Sequence, residues 1–141
     1  MINRKVFVSG CFDLLHAGHV EFLNLAAEYG NLYVGIGSDK NIRLLKNVNP
    51  TYNQNERLFI LNNLKSVKEA FVCSGYGMLD FVEDLRRVKP DFFIVNEDGD
   101  TREKRKLCHS LNIEYKVLKR IPKQGLPKRS STELRKLNEK I

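Results

Sequence analysis

Short apolar runs alternate along this chain with longer segments in which apolar residues recur at helical spacing. Lys5–Ser9 predicts a first strand ending at Gly10. Gly18–Tyr29 predicts a helix, with Gly30 just past its end, and Asn31–Gly37 a second strand. From Lys46 through Pro50 to Asn53 the chain is polar and irregular. Gln54–Lys65 then predicts a helix offering Leu58, Phe59, Leu61 and Leu64 as its buried stripe. Glu69–Cys73 predicts a third strand, Ser74–Gly77 a turn, and Met78–Val88 a helix stopped by Lys89-Pro90. Asp91–Val95 is nearly all apolar, as expected of a strand covered on both faces. Thr101–Leu111 predicts a helix, Ile113–Leu118 a fifth strand, and Ser131–Lys140 a final helix.

Five strands alternating with helices imply a mostly parallel sheet joined by right-handed crossovers. The expectation is a single doubly wound α/β domain over residues 1–141, without repeat or linker. In such sheets ligands bind beyond the carboxyl ends of the strands, where the strand order reverses. The segments to search are therefore 10–18, 37–53, 74–77, 96–101 and 119–131.

Composition agrees with that class. The chain has 141 residues, 42% of them hydrophobic and 29% charged, an ordinary globular balance for one domain. Its apolar runs fall far short of the ~20 residues needed to cross a bilayer. The start, Met1-Ile2-Asn3-Arg4-Lys5, leaves no room for the apolar region of a signal peptide. Cys11, Cys73 and Cys108 are widely spaced and form neither a disulfide framework nor a zinc module, which fits a reducing, cytoplasmic setting. The net charge of +7 is unevenly divided. Residues 1–100 carry 11 basic and 13 acidic side chains, whereas residues 101–141 carry 13 basic and 4 acidic. A basic block of this kind suits a nucleic acid, a small polyphosphate or merely solvent.

The segment richest in chemistry is Gly10-Cys11-Phe12-Asp13-Leu14-Leu15-His16-Ala17-Gly18-His19. Two histidines bracket a glycine where a loop becomes a helix. The first N–H groups of a helix lack partners and carry partial positive charge, so they attract phosphate. Gly18 allows close backbone approach, and His16 and His19 can both donate to one phosphate. Metal binding and simple helix capping are the competing uses of such a pair, although no third metal ligand of convincing spacing lies nearby. Near the other end, Arg129-Ser130-Ser131-Thr132 precedes a helix pattern, and its hydroxyls and amides offer a second anion cradle or an ordinary N-cap. Gly35-Ile36-Gly37 lacks the third glycine of a dinucleotide fingerprint, and no P-loop pattern occurs.

The run from Gly10 to His19 resembles the cytidylyltransferase-like family of nucleotidyltransferases, marked by Gly-(Thr/Cys)-Phe-Asp followed by HxGH. The Arg129–Arg135 stretch resembles the family's Ser/Thr-rich segment that opens the last helix and holds nucleotide phosphates. The likeness covers essentially the whole chain. It implies a Rossmann-like fold and transfer of a nucleoside monophosphate from CTP or ATP to a small phosphorylated acceptor, with pyrophosphate released. It implies further that His16, His19 and Lys46 are catalytic. Cys11, Phe12, Gly18, Asp98, Arg129, Ser130, Ser131 and Thr132 would join the two histidines in binding the nucleotide. Asp39, Arg57 and Lys123, again with Lys46, would clamp the acceptor or phosphates. Asp13 is expected to orient the loop, and Mg²⁺ to be carried mainly by the phosphates.

Two departures bear on the acceptor. Relatives that use glycerol phosphate have tryptophan where Gly99 stands and a lysine where this chain has Cys73-Ser74-Gly75. An acceptor bulkier than glycerol 3-phosphate is the resulting expectation. Relatives often dimerise, so a homodimer belongs among the expected states, while a membrane or nucleic-acid partner does not. The alternatives from other classes are a nucleotide-binding regulator without turnover and a nucleic-acid-binding module using the basic C-terminal region.

Overall fold

The computed structural model describes residues 3–119, 125–127, 129, 134 and 136. The strands are β1 (Lys5–Gly10), β2 (Asn31–Ile36), β3 (Val67–Val72), β4 (Phe92–Asn96) and β5 (Glu114–Leu118). The helices are α1 (Ala17–Ala27), α2 (Asp39–Lys46), α3 (Gln54–Asn62), α4 (Val82–Val88) and α5 (Arg102–Ser110), with a 3-10 turn at Glu97–Gly99. Of the helix expected at Ser131–Lys140, only Leu134 and Lys136 are among the described residues, and both are helical. Among the described residues no helix is long and apolar enough to cross a membrane.

All four strand pairings are parallel, in the order β3-β2-β1-β4-β5. Alternation along each strand sorts the core into two layers. Val6, Val8, Leu32, Val34, Ile36, Phe92 and Ile94 face one way and pack with Leu23 and Ala26 of α1 and Leu61 of α3. Phe7, Phe93 and Val95 face the other way and pack with Leu85 of α4 and Cys108 of α5. Helices on both faces of a parallel sheet make the fold doubly wound and Rossmann-like, as the pattern predicts.

The strand order reverses between β1 and β4. There the ladder has only two rungs, Val6↔Phe92 and Phe7↔Phe93, against six between β1 and β2. The carboxyl ends of β1 and β4 therefore run on without pairing to each other, which opens the crevice where such folds bind ligands.

Several boundaries differ from the sequence expectation for local reasons. Helix α2 falls in a stretch read as loop. Its eight residues bury only Asn41 and Ile42, while Ser38 caps its N-terminus by accepting from the Asn41 N–H. Lys46 thus ends a helix rather than sitting in an irregular loop. Helix α3 stops at Asn62, whose side chain turns to bond both backbone groups of Ala70 in β3. Phe59, expected in the α3 stripe, is 71% exposed, and buried Arg57 occupies the helix's inner face instead. Helix α4 begins at Val82 rather than Met78, because the Gly75 N–H bonds the Asp80 carbonyl and closes residues 75–80 into a loop.

Candidate functional site

His16 is the N-cap of α1, with extended backbone. Its Nδ1 accepts the Gly18 N–H at 3.1 Å, and His19 Nδ1 accepts the His16 N–H at 3.1 Å. An imidazole nitrogen that accepts carries no proton, so each neutral ring holds its proton on Nε2. The two rings stack with centroids 3.9 Å apart and 30° between planes. Capping and phosphate donation are therefore compatible: Nδ1 closes the helix, and Nε2 is the donor edge. Phe12 supports His19 edge-on at 5.5 Å and is itself held at φ 51°, where bulky side chains seldom go. Gly10 permits this, since a Cβ there would lie 2.9 Å from the Phe12 ring.

The loops around the histidines converge on two buried ions. Asp13 accepts the Thr51 N–H at 2.7 Å and the Tyr52 N–H at 2.9 Å, so it does orient the loop. Arg57 donates through Nε to the Tyr52 carbonyl and through one terminal nitrogen to the carbonyls of Cys11 and Gly37. Its other terminal nitrogen meets Asp39 Oδ1 at 2.7 Å. Asp39 in turn exchanges two hydrogen bonds with Gln54. The family resemblance implies that Arg57 and Asp39 clamp the acceptor or phosphates. The structure instead commits four N–H groups of a fully buried guanidinium to protein oxygens, so Arg57 positions the ends of β1, β2 and α3. Lys46 is exposed and reaches back over the crevice, with Nζ 3.6 Å from Cys11 Sγ.

A second polar group lies on the α4/α5 side. Buried Asn41 clamps the Gly77 backbone with both amide atoms and also donates to Asp80 Oδ2 at 3.1 Å. Lys104, in the first turn of α5, donates to the Gly99 carbonyl at 2.7 Å. Burial pushes the Asp80 carboxyl up and the Lys104 ammonium down, and each partly offsets the other's shift. Sequence reasoning missed all three residues. They come from segments far apart in the chain, and no local motif marks them.

At Gly99 the loop after β4 packs closely on itself. A Cβ there would sit 3.1 Å from Asn96 Oδ1 and 3.8 Å from Lys104 Nζ, so the glycine reflects a close approach within its own loop. Asn96 caps this turn by accepting the Gly99 N–H, and Asp98 is exposed upon it. Beyond it, Asp100 is held below the usual carboxylate range by Arg105 and by the Tyr115 hydroxyl, which donates at 2.9 Å. Arg129 is exposed, while Lys123, Ser130, Ser131 and Thr132 lie outside the described residues. The structure thus gathers Cys11, Phe12, His16, Gly18, His19 and Lys46 at the carboxyl end of β1.

Comparison with known proteins places the chain in a family. A cytidylyltransferase-like family model matches residues 7–137. The FAD synthase of Aciduliprofundum boonei is 35% identical over 124 residues, covering 86% of this chain and 80% of that protein. The bifunctional protein HldE of Wolinella succinogenes is 35% identical over 103 residues, which are 72% of this chain but only 21% of that protein. The chain therefore spans about a fifth of the length of the HldE proteins it matches. Among solved structures, the lipopolysaccharide core biosynthesis protein of Thermoplasma volcanium superposes with a TM-score of 0.68 at 25% identity, covering 90% of this chain and 98% of that one. By its fold, its histidine loop and these matches, the chain belongs to the cytidylyltransferase-like family.

Proposed function

We propose that this protein transfers a nucleoside monophosphate from CTP or ATP to a small phosphorylated acceptor. An acceptor phosphate oxygen attacks the α-phosphorus, a new P–O bond forms, and the bond to pyrophosphate breaks. That oxygen is already ionised at neutral pH, so catalysis rests on alignment and on charge stabilisation. The observation that carries the reading is the pair of backbone hydrogen bonds accepted by Nδ1 of His16 and of His19. Backbone amides fix both protons on Nε2, beside a helix N-terminus, at the crevice where β1 and β4 part.

In this mechanism His16 and His19 donate to the α-phosphate and the bridging oxygen as negative charge grows. Lys46 approaches the same oxygens from α2. Arg129, with Ser130, Ser131, Thr132 and Lys123, would hold the outer phosphates. Among the described residues no three His, Cys, Asp or Glu side chains gather as a metal-binding group. In this reading Mg²⁺ would be carried mainly by the triphosphate as its counter-ion, since it keeps several waters and needs few protein ligands.

The test is a matrix of CTP and ATP against sugar phosphates, glycerol 3-phosphate, phosphoethanolamine and FMN, read by pyrophosphate release. Release that requires both a nucleotide and an acceptor is expected. Tight nucleotide binding with no release in any cell of the matrix would instead identify a non-catalytic nucleotide-binding protein.

A further inference from the structure

The crevice has two differently equipped sides. Towards α1 it presents the imidazole donors. Towards α4 and α5 it presents Asp80, beside the end of β2, and Lys104, beside the end of β4. A Cβ on Gly37 would lie 3.7 Å from Asp80 Oδ2, and one on Gly99 would lie 3.8 Å from Lys104 Nζ. Since β1 lies between β2 and β4, these side chains flank the end of the strand that carries the histidine loop.

Each group is anchored but not spent. Asp80 accepts from Asn41 at Oδ2 and from its own backbone N–H, and Lys104 uses one proton on the Gly99 carbonyl. A carboxylate has about four acceptor positions and an ammonium three donors, so both retain capacity for a ligand. They form no direct ion pair with each other, yet each feels the other's charge. Both are half-buried, so a ligand that covers them must meet their remaining donors and acceptors or leave them unsatisfied.

We propose that Asp80 and Lys104 are the residues that select the acceptor, and that they select it for hydroxyl groups. A hydroxyl donates to Asp80 and accepts from Lys104, satisfying both at once. An amine head group satisfies only the carboxylate and brings its positive charge towards Lys104. The acceptor is therefore a polyhydroxylated phosphate ester, whether a sugar phosphate or a phosphorylated polyol chain such as that of FMN. This assignment rests on the nucleotidyl-transfer function proposed above.

The test compares wild type, Asp80→Asn and Lys104→Gln in the full chain. The hydroxylated acceptors are ribose 5-phosphate, glucose 1-phosphate, glycerol 3-phosphate and FMN, and the amines are phosphoethanolamine and phosphocholine. Asp80→Asn keeps an oxygen for Asn41, so thermal melts should stay close to wild type. We expect a hydroxylated acceptor to be preferred by wild type. In both variants its KM should rise about tenfold or more, while the KM for the nucleotide stays within about twofold. Preference for an amine would overturn the assignment while leaving nucleotidyl transfer standing. So would variants in which the acceptor and nucleotide KM values move together or not at all. Absence of pyrophosphate release across the whole panel would refute nucleotidyl transfer and the assignment with it.

Discussion

His19 Nδ1 accepts the backbone N–H of His16 at 3.1 Å, while His16 Nδ1 accepts the N–H of Gly18 at the same distance. The pair thus closes its own helix, and in doing so fixes which nitrogen of each ring bears the proton. Stability and chemistry are carried by opposite sides of the same two side chains, so substitution should separate them.

An asparagine at position 16 can supply the capping acceptor but not the imidazole Nε2–H. His16→Ala should lose about 1 kcal/mol of stability with the cap, and His16→Asn much less. Both should lose about 10²-fold or more in turnover, the scale of one transition-state donor. Urea denaturation and pyrophosphate release measure the two effects. His16→Asn turning over within threefold of wild type would remove the ring from the mechanism.

Arg57 is fully buried and bonds four oxygens from three segments, while Asp39 remains 37% exposed. Arg57→Ala leaves a carboxylate and three carbonyls without that partner, and should cost about 3–5 kcal/mol. Asp39→Asn leaves the buried guanidinium without its counter-charge but with its three carbonyls, so it should also destabilise, though by less than Arg57→Ala. Equal midpoints for these two variants in urea would contradict the positioning role given to Arg57.

Much of this was legible in the chain. The Gly10–His19 run and the alternation of strand and helix patterns placed the crevice correctly. Periodicity failed where polar side chains replace apolar ones in holding an element. Helix α2 buries an asparagine, α3 turns an arginine inward, and Asn41 pins Gly77, so the apolar pattern carries no trace of these contacts. Gly99 shows the same limit. Its neighbours in space, Asn96 and Lys104, decide whether a glycine leaves room, and spacing along the chain does not record them.

Gly35 lies in the middle of the sheet, where a Cβ would come within 2.7 Å of Cys73 Sγ and 2.8 Å of the Phe7 ring. Gly35→Ala should therefore destabilise by about 1–3 kcal/mol through overpacking. Cys73→Ala removes one of the two obstructions. In that background the cost of Gly35→Ala should shrink by at least about 0.5 kcal/mol, and strict additivity would argue against the contact.

The three thiols should differ sharply in reactivity. Cys73 and Cys108 are buried at 4% and 0% exposure, and burial pushes both thiols up, Cys108 to about 11. Cys11 is half-buried at the crevice. At pH 8 an aromatic disulfide reagent should label Cys11 quickly and the other two only after denaturation. Saturating CTP or ATP should slow the Cys11 reaction, and rapid release of three equivalents from native protein would contradict these burials.

Asp100 ionises below its ordinary 3.8 because Arg105 and the Tyr115 hydroxyl bond its charged form. A carboxyl depressed in the folded state stabilises above its unfolded pKa and loses that contribution as pH falls through its folded value. Asp100→Asn should therefore melt below wild type at pH 7, with the gap closing below about pH 3.8. A gap unchanged across that range would mean that the loop does not depend on the ionised side chain.

The two-rung seam between β1 and β4 changes what sets the width of the cleft. Hydrogen-bonded strands sit about 4.8 Å apart and allow little adjustment. Beyond Phe7↔Phe93 that constraint ends, and this last rung is backed by ring contacts of Phe7 with Phe93 at 5.4 Å and with Phe81 at 6.0 Å between centres. Side-chain volume varies in finer steps than a ladder spacing. The jaws of this cleft thus rise from an aromatic base, so a change of ring volume at Phe7, Phe81 or Phe93 should alter its breadth without touching a residue within it.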